Sequence, residues 1–551
     1  MLKQLAHTTT PIFYPNARPH LGHLYSSVLA DVQHRWALLK TGDPQASRLT
    51  TGTDEHGLKI QAAAAANGYA SPRSFVDALC PEFKALDRLF SISYTRFIRT
   101  TDPDHVANVA RLWQLCERNG FLYKGQHQGW YSVSDETFYP PSKVIKDPAD
   151  PTGARHINTE SRNEVVFQSE VNWYFRLASF NDALHRYIAQ ENPQFVFPPG
   201  KRDQLLADLK TMPLQDLSVS RPASRLQWGI PVPGDDSQRI YVWFDALCNY
   251  VSALGPIDAA SGTIASPFWP RTTHVIGKDI IKFHCLYWPA FLMAAGLPLP
   301  RRVVVHSHWV SDGVKMSKSL GNVVDPVQIG TRYGPDVLRW YVLENSTLEQ
   351  DGDFIEQNVA GLRQLLVAKW GNLINRCCGA KFSLSRAVQR WTGERDPGAL
   401  VGAIPPASQT LATDLIALLD RLPGEMDTRV DNFDYSNLLR LFWSAINDAN
   451  ALMQAAKPWK LQGDQQDAVL YLCTETSRVL GILAQPVVPT LAAKLLDRID
   501  VAKDHRTIEY ARLGADTTYG ANANDRARPV PLEREPSQDE IPLVNNEQLA
   551  S

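Results

Sequence analysis

The chain has 551 residues, 44% hydrophobic and 21% charged, several times the length of an ordinary domain, so at least two hydrophobic cores are expected. No uninterrupted apolar run is long enough for a helix to cross a bilayer, which argues against a membrane-spanning role. With 56 Lys plus Arg against 58 Asp plus Glu, overall basicity gives no argument for nucleic-acid binding, and any RNA contact must use local patches.

Only Met1 to Thr8 precede the first motif-bearing stretch, too short for a typical presequence, so either none exists or it was trimmed. Pro11 to Tyr14 is a short apolar segment, followed by a Gly-containing turn, a helix-like run from Leu24 to Leu39 and a strand candidate at Leu49 to Thr53. That is βαβ grammar and predicts a parallel sheet. From about Gly120 to Arg225 the pattern loosens into aromatic, Pro-rich and charged segments such as Tyr139-Pro140-Pro141 and Lys146-Asp147-Pro148, which predicts an insertion. Alternation returns at Ile240 to Phe244, His274 to Ile276 and Val303 to Val305, so the sheet is expected to resume there. After Asp353, Leu362, Leu365, Leu366, Trp370, Leu373, Ile374 and Cys377 recur at helical spacing. Further runs at Leu411 to Leu422, Tyr435 to Met453, Ala468 to Ala484 and Thr490 to Leu496 suit a helical bundle. From roughly Thr517 the chain turns polar and Pro-containing, which predicts a surface-hugging or disordered tail. The seven cysteines, Cys80, Cys116, Cys248, Cys285, Cys377, Cys378 and Cys473, form no CxxC pair, which disfavours a disulfide framework and a tetrahedral zinc site and fits a reducing compartment.

Two stretches carry chemistry. Pro19-His20-Leu21-Gly22-His23 follows the first strand candidate at the entry to a helix. Two imidazoles flanking a glycine there can point N–H donors at phosphate oxygens, and a helix start favours anions. A helix-capping segment, or buried histidines, is the plainer reading of the same letters. Almost three hundred residues on, Val303 to Val305 leads into His306, Trp309 and then Asp312-Gly313-Val314-Lys315-Met316-Ser317-Lys318-Ser319-Leu320-Gly321-Asn322. A mobile loop carrying Lys315 and Lys318 can neutralise charge on a pentavalent phosphorus as a carboxylate attacks the α-phosphate and pyrophosphate leaves.

Together the two stretches resemble the HIGH and KMSKS signatures of class I aminoacyl-tRNA synthetases, the second letter for letter, and the resemblance spans about Thr9 to Arg512. The insertion, roughly a hundred residues, is too short for the large editing domain of leucine, isoleucine and valine enzymes. Thr51-Gly52-Thr53-Asp54-Glu55-His56-Gly57, Trp243-Phe244-Asp245-Ala246, Ile276-Gly277-Lys278-Asp279-Ile280, Phe283-His284 and Tyr287-Trp288-Pro289 resemble the methionyl-tRNA synthetases. The resemblance implies an α/β fold. A Rossmann-like parallel-sheet catalytic domain would occupy residues 1–119 and 227–325, split by a zinc-free connective insertion at 120–226. A stem-contact linker region would follow at 326–360, an all-α helical-bundle anticodon-binding domain at 361–512 and a polar tail at 513–551.

By the same resemblance, Ile12, Tyr14, Trp243, Ala246, Tyr250, Ile280 and His284 bind methionine, and Asp54 holds its ammonium. A polarizable thioether gains from aromatic neighbours, and a buried carboxylate needs a cationic partner. ATP, with Mg2+, would meet His20, Gly22, His23, Gly277, Asp279 and Lys318, with His20, His23, Lys315 and Lys318 catalytic. Asn372, Arg376 and Trp459 fall where methionyl enzymes read the CAU anticodon of tRNA(Met), and these side chains suit splayed bases. Trp130-Tyr131-Ser132-Val133-Ser134-Asp135-Glu136 stands where many relatives carry zinc-binding cysteines, so no structural zinc or other protein-bound metal is expected. Leu247 replaces a proline common in the pocket motif, and Ala17 and Pro19 modify the approach to HIGH. A zinc-free insertion with a short C-terminus resembles mitochondrial, especially fungal, forms, which implies the mitochondrial matrix, with the cytoplasm as alternative, and a monomer. Two other readings stay open: a small nucleotidyl-transferring HxGH enzyme, which would lack the C-terminal helices, and a synthetase-derived RNA-binding protein.

Overall fold

Thr- and Val-rich stretches build a six-stranded parallel sheet in the first of two compact units, Met1–Val327 with Ser346–Asp353. The computed structural model describes residues 5–132, 134, 137–258, 262–316, 321–392 and 397–523. Strands β1 (Ala6–Thr9), β2 (Ser47–Thr53), β3 (Arg96–Arg99), β4 (Val196–Phe197), β5 (Thr272–Gly277) and β6 (Arg302–His306) lie in the order β3-β2-β1-β5-β6-β4. Every pairing is parallel. All five residues of β6 are buried, which is why it reads as a continuous β-branched run rather than an alternation. Parallel neighbours need crossovers: helix α1 (Leu21–Thr41) joins β1 to β2, and helix α2 (Pro72–Leu89) lies between β2 and β3.

The chain leaves β1 toward β2 and leaves β5 toward β6, in opposite directions along the sheet. At such a reversal the connections diverge and open a crevice at the strands' C-terminal ends, where ligands bind in open α/β sheets. Both Thr9, ahead of the His20 segment, and Gly277 end strands there.

After β3, helix α3 (Pro103–Arg118) leads into the insertion, where Leu122–Ser132 pairs antiparallel with Glu164–Phe175. The insertion shares the main core. Trp173 of the insertion meets Trp113 of α3 edge-on at 5.8 Å, and Phe175 meets Phe291 at 4.8 Å.

Three local expectations change. The first strand is Ala6–Thr9, not Pro11 to Tyr14, since Pro11 has no N–H to give the ladder; Phe13 makes only an isolated bridge to Thr53. Ile240 to Phe244 does not enter the parallel sheet. Ile240 ends an antiparallel strand, Asp235–Ile240, and helix α4 (Val242–Leu247) follows, with Val242, Phe244, Asp245, Ala246 and Leu247 all buried, so the apolar spacing reflects burial rather than pleat. Within the expected insertion, β4 is an edge strand of the main sheet, and its two residues are too few to leave a period.

The second unit comprises Gln328–Asn345 and Phe354–Ser551, so the segment expected as one linker at 326–360 is shared between the two units. Glu356–Leu365 passes through a wide π-turn, Leu366–Gly371, into helix α5 (Asn372–Cys377). Helices α6 (Gln409–Asp431), α7 (Tyr435–Ala456), α8 (Gly463–Leu483) and α9 (Pro489–Arg498) complete the bundle. Helix α8 is buried at every residue from Asp467 to Leu483 and forms its centre. The described part of the expected tail, 513–523, packs into this unit, burying Asp516, Tyr519 and Ala523.

Candidate functional site

His20 caps α1. Gly22 N donates to His20 Nδ1 at 3.1 Å, and His20 N donates to His23 Nδ1 at 3.0 Å, a reciprocal box made by two imidazoles. With each Nδ1 accepting, a neutral ring carries its hydrogen on Nε2. The rings lie 3.8 Å apart. Burial first, then the neighbouring His20, holds His23 well below the usual imidazole range, and Phe13 and Phe83 meet its ring at 4.8 and 5.5 Å. A Cβ on residue 22 would come within 3.0 Å of His20 Cε1, so glycine is what lets the His20 ring fold back over the helix start. The capping reading therefore holds, the cap occupying Nδ1 of both rings.

The segment after the Lys-rich stretch returns to this helix head, where Leu21 N donates to Val324 O at 3.3 Å. Lys315 is exposed on Val314–Lys315, which pairs with Trp309–Ser311, and its carbonyl accepts from Asn322 Nδ2 at 3.2 Å. Lys318 lies outside the described residues. At the end of β5, Gly277 precedes Asp279, whose exposed carboxylate is 3.7 Å from His308 Nε2.

The third feature is an aromatic pocket wall. Tyr250 Oη and His284 Nε2 are 2.6 Å apart, and His284 Nδ1 is 3.0 Å from Ile280 O. Burial lowers the His284 pKa to about 4, so the ring is neutral at physiological pH. A carbonyl can only accept, so Nδ1 carries the hydrogen and Nε2 accepts from the Tyr250 hydroxyl. His284 sits in a π-turn, Phe283–Tyr287, the kind of helical widening that gathers at functional sites. Trp243 stacks on Phe283 at 3.7 Å and meets His284 edge-on at 6.2 Å. Ala246 is buried, while Ile280 and Tyr14 are partly buried against the same core. The Tyr14 hydroxyl donates to His56 O at 2.9 Å, and Ile12 is partly buried two residues before it. Asp54, at the end of β2, is buried and donates its backbone N–H to Phe13 O at 2.9 Å. Burial chiefly, with the Asp54 charge adding, pushes the Tyr250 phenol above its ordinary range.

Sequence reasoning missed a buried network behind this wall. The Asp245 carboxylate lies 2.7 Å from both His56 Nδ1 and His105 Nε2, and His105 Nδ1 lies 3.2 Å from Ser252 Oγ. Burial opposes the Asp245 charge, but the two imidazoles, His56 first, outweigh it and hold the carboxyl below its usual range. It ties α4, which carries Trp243 and Ala246, to the turn carrying Asp54. His56 and Asp245 stood inside recognised stretches, whereas His105 carried no local signal.

In the second unit, Asn372 is exposed at the start of α5 and Arg376 follows one turn later on the same face. The Arg376 guanidinium lies 5.5 Å from the ring of Trp459, which is 45% exposed beside buried Pro458. Among the described residues, no group of three or more His, Cys, Asp or Glu side chains could hold a metal ion, and no helix is long and apolar enough to cross a membrane.

Comparison with known proteins gives concordant results. A family described as tRNA synthetases class I (M) matches residues 6–378. The mitochondrial methionine–tRNA ligase of Saccharomyces cerevisiae is 53% identical, covering 97% of this chain and 96% of its own. That of Homo sapiens is 42% identical, over 91% of this chain and 85% of its own. Among solved structures, Mycobacterium tuberculosis methionyl-tRNA synthetase bound by methionyl-adenylate is 33% identical with a TM-score of 0.81, covering 94% of this chain and 99% of its own.

Proposed function

This chain belongs to the class I methionyl-tRNA synthetases and is a methionine–tRNA ligase, and from that premise we propose how its residues divide the reaction. Methionine enters with its ammonium on Asp54 and its thioether against Trp243, Tyr250 and His284, with Ile12, Tyr14, Ala246 and Ile280 closing the apolar surround. ATP enters as its Mg2+ complex. A methionine carboxylate oxygen attacks the α-phosphorus, the bond to pyrophosphate breaks, and methionyl-adenylate forms. The carboxylate is already ionised, so no general base is required and catalysis is positioning and charge stabilisation.

His20 and His23 give the phosphate oxygens hydrogen bonds, His23 as an uncharged ring. Positive charge comes from Lys315 and Lys318, so the two motifs do different work. Gly22 allows the fold-back that aims His20, and Gly277 and Asp279 meet the adenosine, the carboxylate accepting from ribose hydroxyls. In the second step a hydroxyl of the terminal tRNA ribose attacks the methionyl carbonyl and AMP leaves. Asn372, Arg376 and Trp459 read the anticodon, Trp459 by stacking and the other two at base edges. The enzyme works without structural zinc, as a monomer, in the mitochondrial matrix, a reading supported by its relatives from Saccharomyces cerevisiae and Homo sapiens, which are named as mitochondrial.

The observation that carries this reading is the hydrogen bond from Leu21 N to Val324 O, which brings the chain following the Lys-rich motif onto the capped head of α1. The test is ATP–pyrophosphate exchange by the purified protein, driven by each amino acid in turn, before and after dialysis against a zinc chelator. Exchange with methionine alone, unchanged by the chelator, is expected. Exchange driven by another amino acid would overturn the pocket assignment, and loss after chelation would overturn the zinc-free reading.

A further inference from the structure

His274, in the middle of β5, belongs to none of the groups assigned above, yet it touches the pocket from behind. Its side chain is fully buried. Nδ1 lies 2.9 Å from the hydroxyl of Thr9, its register partner on β1, so the imidazole is moored to the strand that leads to His20. Its ring packs against Tyr250 with centroids 4.1 Å apart, and His284 stands at 6.3 Å. On the helix carrying it, Asn249–Ser252, Tyr250 has this imidazole as its nearest ring, with Trp288 farther off at 6.3 Å.

The other nitrogen, Nε2, is buried and has no hydrogen-bond partner among the described groups. An unsatisfied buried polar atom lowers stability, and an aliphatic or phenyl side chain would fill this core position without that penalty. Packing alone therefore does not account for histidine here. Burial keeps the ring uncharged, so it acts by shape and by its one moored nitrogen.

We propose that His274 is a positioning residue for methionine recognition: moored to Thr9, it fixes the Tyr250 ring so that the phenol donates to His284. The inference rests on the pocket reading given above. With that hydrogen bond in place, the two polar groups of the wall satisfy each other and present the substrate with a surface suited to a thioether. A Tyr250 ring free to swing uncovers His284 Nε2 as a bare acceptor, to which a thioether, itself only a weak acceptor, can donate nothing. Affinity for methionine falls and its advantage over norleucine, the isosteric alkane, shrinks. ATP binding and the chemical step, carried at the helix head, are left in place.

The test is methionine-driven ATP–pyrophosphate exchange by the full chain as wild type, His274→Ala, Thr9→Val and Tyr250→Phe, with KM for methionine and for ATP, kcat, the norleucine response and the melting temperature recorded for each. For His274→Ala the methionine KM is expected to rise about tenfold, with kcat and ATP KM within about twofold, and with methionine-over-norleucine selectivity falling in step. Thr9→Val keeps the ring and the side-chain volume and removes only the mooring, so it shifts methionine KM in the same direction by a smaller factor. It carries the test if His274→Ala does not fold. An unchanged methionine KM in both variants would overturn the proposal. So would a uniform loss in kcat and both KM values that tracks a lowered melting temperature, since that is the mark of a core residue only. If Tyr250→Phe leaves methionine KM unchanged, the pocket reading itself falls and takes the inference with it. A KM rise in Tyr250→Phe but not in the other two variants rejects His274 alone.

Discussion

Asp87 on α2 is 2% exposed and faces the charge of Asp31 on α1, which is itself engaged by Ser93 and Arg35. Burial first, then the Asp31 charge, raises its carboxyl from 3.8 to about 7. The sign follows from linkage. Below pH 4 the carboxyl is protonated in folded and unfolded chains alike and costs nothing. As pH rises from about 4 through 7 the unfolded chain ionises first, so the folded state loses stability, and the loss levels off above 7. Its ceiling is on the order of 4 kcal/mol. Asp87→Asn should therefore raise the melting temperature at pH 8, with the gain shrinking toward pH 5; a gain independent of pH would show that the charge is not its source. Such a pair, like the His56–Asp245–His105 network whose members stand 189 and 140 residues apart, leaves no local pattern in a sequence. His20, Gly22 and His23 were legible because one helix turn holds all three. What could not be read there was which nitrogen of each imidazole the backbone occupies.

At the scale of elements, the close approach of β2 to β3 sets the most exacting local demand. Gly52 pairs with Ile98 in register, and a Cβ at residue 52 would lie 1.9 Å from the Ile98 carbonyl oxygen. Backbone cannot yield as a flexible side chain does, so Gly52→Ala should cost about 3 kcal/mol or more, by forcing β2 and β3 apart. Equilibrium denaturation checks this, and a shift below about 1 kcal/mol would mean that the pairing adjusts freely. The demand also explains why a glycine stands inside the stretch that leads to Asp54: it serves the sheet, and the sheet places the carboxylate. Long elements, such as α1 and the bundle helices α7 and α8, were legible to within about five residues at either end. The two-residue strand β4 was not, because nothing in Val196-Phe197 distinguishes an edge strand from a buried loop. Val242 to Leu247 misled for the opposite reason: nearly complete burial gives strand and helix the same apolar signature.

The whole molecule divides into two units, and the change from mixed to helical periodicity after Asp353 falls at one boundary between them, while Gln328–Asn345, ahead of it, also belongs to the second unit. Polarity misplaced the end of the second unit, because the segment after Arg512 is held by charges on α8 rather than by apolar spacing. Glu475 and Arg478, both fully buried, pair at 2.6 Å; Arg478 donates to the carbonyls of Tyr510 and Arg512, and Gly514 N donates to Glu475. A buried pair of this kind is a weak net stabiliser when intact, yet removing one partner strands the other charge and costs about 3–5 kcal/mol. Arg478→Met should therefore destabilise the helical unit by roughly that amount, and the double change Glu475→Met with Arg478→Met should cost less than the single one. The functional consequence separates the two reaction steps. Adenylate formation is assigned to residues of the first unit, anticodon reading to Asn372, Arg376 and Trp459 of the second. As temperature is raised, the Arg478→Met enzyme should lose tRNA charging while methionine-driven pyrophosphate exchange persists, whereas the wild type keeps both over that interval. Parallel loss of the two activities would mean that the units unfold as one, and that the helical bundle supports adenylation as well as tRNA recognition.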